Sequence, residues 1–271
     1  MPDPMIILAG ATGNLGGRMA KALRERGASV RAIVRRGTPS AKVGALRDLG
    51  VAVAEVDFAS PPEMTAACAG GTCVVSALSG LRPVIVDAQS ALLDAAVAAG
   101  VPRFIPSDYS IDFTRLPSGT NRNFDLRRDF HAVLDRARIA ATSIFNGAFA
   151  ELLTGPAPIV LFKLKRVVYW RSADQRMDFT AMDDVATYTA HAALDATTPR
   201  YLNIAGDRVG ARDLAFAASE VTGKTFRLLR AGDLPRLETL IAITRALVPA
   251  RREVFPPWQG MQYLRDMFGG L

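Results

Sequence analysis

Ile6-Ile7-Leu8-Ala9-Gly10-Ala11-Thr12-Gly13-Asn14-Leu15-Gly16-Gly17 carries an apolar run straight into a glycine-rich turn. Helical spacing follows, with Leu15, Met19, Ala22 and Leu23 on one side and Gly27 at the place of a helix-terminating glycine. The order is strand, glycine turn, helix. Gly10 lets the chain turn tightly off the strand. Gly13 keeps side-chain atoms away from an approaching pyrophosphate, and Gly16 lets the helix pack close to the sheet. The free N–H groups at the helix start, aided by the helix dipole, then face phosphate oxygens. The spacing is G-x-x-G-x-x-G, one residue looser at its start than the common dinucleotide fingerprint. A glycine turn that binds nothing is the alternative, but the strand-to-helix setting favours a nucleotide. Thr12, Asn14 and Leu15 belong to the same cradle.

Outward from this turn the pattern repeats. Strands are expected at Ser29–Arg35, Val51–Asp57, Cys73–Leu78, Arg103–Pro106 and Ala141–Asn146. Helices are expected at Pro39–Leu49, Pro61–Ala69, Pro83–Ala99 and Asn123–Ala137, with Gly50 and Gly100 as stops. Apolar strands alternating with helices describe a parallel sheet covered on both faces, and right-handed crossovers make it doubly wound, a Rossmann sheet. After Asn146 the rhythm changes. Pro156 and Pro158 mark a loop, and Ile159–Trp170 has strand character. Asp183–Leu194 and Ala211–Val221 read as helices, Tyr201–Ala205 as a strand, and Leu234–Leu247 and Trp258–Phe268 as two closing helices. The expected organisation is a cofactor-binding domain over residues 1–152 and a smaller α+β substrate-binding lobe over 153–271, interleaved with the first.

The 271 residues are 49% hydrophobic, enough to bury a sizeable core. No charged and then apolar leader is recognisable, and no uncharged run is long enough to span a bilayer. The two cysteines, Cys68 and Cys73, read as lone thiols of a reducing, cytoplasmic compartment rather than a disulfide. The net charge of +7 is scattered and not interleaved with aromatics, which argues against a nucleic-acid partner. The two histidines, His131 and His191, have no metal-ligand spacing, and there is no G-x-S-x-G elbow.

The end of the second strand selects the nucleotide. Arg35-Arg36-Gly37-Thr38 stands there without a carboxylate. Guanidinium groups bind phosphate through paired, charge-assisted hydrogen bonds, so NADP(H) is expected rather than NAD. Two solvent-facing arginines are the alternative. Lys42 can add a further positive charge, and Asp57-Phe58 is placed to border the adenine or to form an ordinary loop.

With these residues in view, the chain resembles the NmrA-like, isoflavone-reductase-like branch of the atypical short-chain dehydrogenases. The resemblance rests on the Gly10–Gly16 motif, Arg35 after Ile33-Val34, Val74-Val75-Ser76, Gln89, and above all Arg103-Phe104-Ile105-Pro106-Ser107-Asp108-Tyr109. Ser143-Ile144-Phe145-Asn146-Gly147 and Asp178-Phe179-Thr180 with Asp183-Asp184 extend it. It implies that Ser107, Asp108, Tyr109 and the Asn146-Gly147 turn lie near the nicotinamide. It also places Ser76, Ala77, Leu78 and Gln89 among the cofactor residues. The reductases of this branch carry a lysine early in the helix after the fifth strand, and the corresponding position here is Arg127. An arginine stays protonated and cannot serve as a general acid or base. The Tyr-x-x-x-Lys pair of ordinary short-chain dehydrogenases is also absent.

Hydride transfer leaves the protein one proton to manage. Candidates are Tyr109, as donor or as aromatic wall, Asp108, and His131. Arg127 and His131 are four residues apart on one helix edge, bordering the core stripe of Leu126, Phe130, Val133, Leu134 and Ala137. His131 is also readable as a surface or a satisfied histidine. Asn123 suits the helix N-cap, and Arg127 and Arg128 near that start point to an anion close by, Asp108 or Asp125. Asp183 and Asp184 read as a cap and dipole pair. Trp258–Tyr263 reads as helix packing, with a substrate-pocket wall or a homodimer contact as further uses. Two functions follow: an NADPH-dependent reductase of a small apolar or aromatic, carbonyl-type or conjugated substrate, or a non-catalytic NADP(H)-binding redox sensor. A nucleotide-sugar or isomerase-like enzyme using the nucleotide transiently is a third.

Overall fold

The computed structural model describes residues 4–155 and 157–270. Pro156, half of the expected proline loop, lies outside them. The chain divides into two compact units. The first comprises Met1–Tyr109, Leu126–Phe145 and Met182–Asn203; the second comprises Ser110–Asp125, Asn146–Ala181 and Ile204–Leu271.

The first unit is built on a six-stranded parallel sheet. In chain order it contains β1 (Met5–Ala9), α1 (Asn14–Glu25), β2 (Ser29–Arg35), α2 (Ser40–Asp48), β3 (Ala52–Val56), α3 (Pro61–Cys68) and β4 (Cys73–Ser76). A π-helical turn (Pro83–Ala88) runs into α4 (Gln89–Ala98). Then come β5 (Arg103–Ile105), α5 (Arg122–Leu134), of which Leu126–Leu134 belongs to this unit, β6 (Ala140–Ala141) and β7 (Ser143–Phe145). The sheet order is β3-β2-β1-β4-β5-β6, with Met5 opposite Ser29, Ile6 opposite Cys73 and Val74 opposite Phe104. This is the doubly wound arrangement, and its strand order reverses beside β1. The expected sixth strand is broken at Thr142. Ala140–Ala141 stays on the main sheet, while β7 pairs in parallel with β12 (Tyr201–Asn203).

Burial follows the sequence periodicity. Ile7, Val74 and Phe104 on the strands meet Met64, Leu92, Leu93, Phe130 and Leu134 on α3, α4 and α5 in one core. On α1, the buried Met19, Ala20 and Leu23 form the stripe opposed by α6 (Met182–Leu194). Both cysteines are free and buried.

The second unit holds β8 (Ala148–Phe149), β9 (Val160–Leu161), β10 (Arg166–Trp170), β11 (Met177–Thr180), β13 (Asp207–Val209), α7 (Ala211–Thr222), β14 (Arg227–Gly232), α8 (Leu234–Leu247) and α9 (Pro257–Phe268). Two three-stranded sheets form, β14-β10-β9 and β13-β11-β8. The single strand expected over Ile159–Trp170 is instead two, separated by a 3-10 turn that ends in left-handed Lys165 (φ 51°). That residue reverses the chain so that β9 pairs antiparallel with β10. No helix among the described residues is long and apolar enough to cross a membrane.

Candidate functional site

The glycine turn is built as its spacing requires. Gly10 has φ +83°, and a Cβ there would stand 2.5 Å from the Ala77 carbonyl oxygen, beyond the end of β4. A Cβ on Gly16 would stand 2.2 Å from the Gly10 oxygen. Gly13 caps α1 with extended backbone, is exposed, and donates its own N–H to Gly10 O at 3.0 Å. The N–H groups of Asn14, Leu15 and Gly16 make no hydrogen bond among the described residues, and no acidic side chain sits in that turn. Three unanswered donors at a helix start form an anion cradle. Asn14 is turned aside, its Oδ1 accepting from Arg18 Nε at 3.0 Å, while Arg18 ion-pairs with Asp183 at the start of α6. Thr12 and Leu15 are half-buried beside it.

The two arginines after β2 have different fates. Arg36 is held by Glu63 Oε1 at 2.8 Å, and the other Glu63 oxygen accepts the Asp57 N–H at 3.0 Å. Arg35 is exposed, lies over the half-buried Phe58 ring at 5.8 Å, and has no carboxylate partner among the described residues. Lys42 is exposed on α2. Asp57 turns its carboxylate onto the Ala59 N–H at 2.9 Å.

At the carboxyl end of β5, Ser107 ties three elements together. Its N–H donates to Gln89 Oε1 at 2.9 Å, its hydroxyl to Leu78 O at 2.7 Å, and its carbonyl accepts from Arg127 Nε at 3.1 Å. Gln89 is wholly buried, and its amide nitrogen donates to Ile85 O. Gln89 is therefore a strut under Ser107. Ser76 is buried, and its hydroxyl oxygen has no hydrogen-bond partner among the described residues. Ala77 closes against β1 through its N–H to Ala9 O at 2.8 Å.

The next residue, Asp108, is fully buried and meets His131 Nε2 at 2.6 Å. Ser143 Oγ lies 3.3 Å from the same nitrogen and accepts from Arg200 Nη1 at 2.6 Å. His131 is thus an interior, hydrogen-bonded histidine, not a surface one. Burial pushes the Tyr109 hydroxyl far above its ordinary pKa. Thr189 pulls the other way, but its own hydroxyl proton is committed to Val185 O at 2.7 Å, leaving it only an acceptor role. The Tyr109 oxygen is enclosed by the surrounding residues.

The cap of α5 also differs from the expected one. Asn121, not Asn123, accepts the N–H groups of Asn123 and Phe124, at 3.2 and 3.4 Å. The helix begins one residue earlier than its apolar stripe shows. Asn121 in turn binds Asp266 and Gln259, at 2.7 and 2.8 Å, within the second unit.

In the second unit Asn146 and Gly147 form a tight turn. Gly147 has φ +66°, and a Cβ there would fall 2.2 Å from Asp178 O. Asn146 is buried, receives the Thr180 hydroxyl on its carbonyl at 2.7 Å, and keeps its side-chain oxygen without a partner among the described residues. Glu63, Ser143, Thr189 and Arg200 were not anticipated as supporting residues. Each acts across a fold contact that leaves no local motif.

The NmrA-like family model matches residues 2–249. A bifunctional pinoresinol-lariciresinol reductase of Linum usitatissimum is 27% identical over 197 residues, covering 68% of this chain and 63% of that protein, so the chain spans less than two thirds of that relative. Among solved structures, the leucoanthocyanidin reductase–NADPH complex of Vitis vinifera superposes with a TM-score of 0.80 at 18% identity, covering 97% of this chain and 86% of the other. The NADPH-dependent quinone oxidoreductase QOR2 of Escherichia coli, complexed with NADPH, does so at 0.74 and 20%, covering 98% and 89%. At these identities the likeness is one of fold.

Proposed function

The chain belongs to the NmrA-like family, and we propose that it is an NADPH-dependent reductase of a small apolar or aromatic substrate with a carbonyl-type or conjugated acceptor. The reductase names of its relatives support this class of chemistry. The observation that carries the cofactor choice is the split arginine pair: Arg36 is engaged by Glu63, and Arg35 stands without a carboxylate over Phe58. The dinucleotide fits the first unit on physical grounds. Three open N–H groups at the start of α1 take the pyrophosphate, the bare Cα of Gly13 admits it, and Arg35 takes the 2′-phosphate.

When bound, NADPH supplies the hydride. The protein's own tasks are placement and one proton. Ser107, braced by Gln89 and Leu78, fixes the edge of the sheet and holds Arg127 through its carbonyl. Arg127 stays protonated and orients an acceptor oxygen. Asp108, next in the chain after Ser107, and His131, 2.6 Å from it, are the candidate groups for that proton. Tyr109 shapes the wall. The test is NADPH oxidation, followed by absorbance, against quinones, enones and aldehydes, with turnover expected on at least one class.

One observation favours a second reading, a redox sensor without turnover. Arg127 occupies the position where the reductases resembled carry lysine, and its Nε–H is spent on a backbone carbonyl. Tight NADPH binding with no turnover on any of these acceptors would select it.

A further inference from the structure

Three arginines gather round one tryptophan in the second unit. The Arg122 guanidinium lies over the Trp258 ring at 4.6 Å and that of Arg245 at 5.2 Å. Trp258 is buried, and its indole N–H donates to Pro249 O at 3.3 Å. With Arg251 these residues line a cavity of about 330 Å³ whose walls carry no carboxylate.

The arginines are not equivalent. Arg122 is structural: it donates to Asn123 Oδ1 and to the carbonyls of Glu253 and Val254. Burial lowers its pKa, Tyr263 opposes that, and the like charge of Arg245 adds to the lowering. Arg245 and Arg251 make no hydrogen bond and no ion pair among the described residues. Like charges held together on one small concavity repel unless an anion sits between them, and guanidinium forks match oxyanions in geometry. Arg245 also borders a neighbouring cavity of about 590 Å³ with Ile241, Ala242 and Ala246 on its wall. That second cavity holds Glu238 as well, so the uncompensated positive charge is concentrated in the smaller one.

We propose that the Arg122–Arg245–Arg251 cavity over Trp258 is a binding site for a doubly charged oxyanion group, a phosphate monoester or a dicarboxylate, carried by a small organic ligand. The site lies wholly within the second unit and does not depend on the reductase reading. Trp258 forms its floor, so occupancy is expected to alter indole fluorescence.

The experiment titrates the full-length protein with inorganic phosphate and, separately, with succinate, at an ionic strength held constant with sodium chloride. The expected result is a saturable change in tryptophan emission with one or both dianions and none with chloride alone. A response to phosphate only marks a phosphate ester, and a response to succinate only marks a dicarboxylate. Arg251→Gln, which leaves the contacts of Trp258 in place, is expected to weaken the response about tenfold or more, and Arg245→Gln likewise. Arg35→Gln, at the end of β2, is expected to leave it unchanged, separating this site from the dinucleotide cradle. An emission change that chloride reproduces, or one that both cavity variants retain at wild-type affinity, overturns the proposal.

Discussion

Alanine substitutions at Gly13 and Gly16 separate the packing role of the glycine turn from its binding role. A methyl on Gly16 would stand 2.2 Å from the Gly10 oxygen and 2.7 Å from its carbonyl carbon. Ordinary contact requires about 1 Å more, and both obstacles are backbone, so α1 must move off β1. Overpacking of this kind costs about 1–3 kcal/mol, and each kcal/mol lowers the melting temperature by about 2–4 °C in a chain of this size. A methyl on Gly13 meets only the Gly10 oxygen, at 3.3 Å, on extended backbone that any residue adopts. Its stability cost is expected to stay below about 1 kcal/mol. That methyl nevertheless projects into the exposed mouth where phosphate oxygens would meet the open N–H groups. Losing one or two charge-assisted contacts there weakens binding roughly 10–100-fold. Thermal melts of both variants, with calorimetric titration of NADPH into Gly13→Ala, read the two effects apart. Wild-type NADPH affinity in Gly13→Ala, or an unchanged melting temperature in Gly16→Ala, would refute the reasoning.

Other outcomes follow from neighbouring contacts. Asn121→Ala removes the α5 cap and a donor to the buried Asp266, so urea unfolding should show a loss of about 2–4 kcal/mol; a change within error would mean that water replaces the cap. Asp108→Asn and His131→Gln break one 2.6 Å contact between buried groups. Their double-mutant cycle should show a coupling of about 1–3 kcal/mol, and strict additivity would deny that the pair acts as a unit. Burial raises the Cys68 thiol from 9.0 to about 11 and the Cys73 thiol to about 12. Both folded-state values lie above the unfolded one, so the stability they contribute is complete below about pH 9 and is lost as pH climbs toward 11–12. At pH 8 a thiol reagent should leave both sulfurs unmodified until denaturant is added, and rapid labelling of the native protein would contradict their burial.

Much of the first unit was readable because its strands are short apolar runs, and α1 carries one clear buried stripe. Ser29–Arg35 and Leu234–Leu247 match the expected limits. The strands missed in the second unit, Met177–Thr180, Asp207–Val209 and Arg227–Gly232, are short and interrupt their apolar residues with charged ones; Arg208 binds Asp178 at 2.7 Å. The glycine cradle was legible because each glycine answers a local steric demand. The division of labour between Arg35 and Arg36 was not, since it depends on Glu63, which reaches Arg36 from α3. Asp108 and His131 likewise meet only through the packing of α5 on β5, which no spacing in the chain expresses.

Calorimetric titration of NADPH and NADH into the wild-type protein, Arg35→Gln and Arg36→Gln tests the central claim most directly. The account expects wild-type protein to prefer NADPH by about tenfold or more. Arg35→Gln should abolish that preference while leaving NADH affinity unchanged, and Arg36→Gln should alter little because Glu63 already holds that side chain. Equal affinity of the wild-type protein for the two nucleotides, or an Arg35→Gln variant that loses both alike, would contradict it.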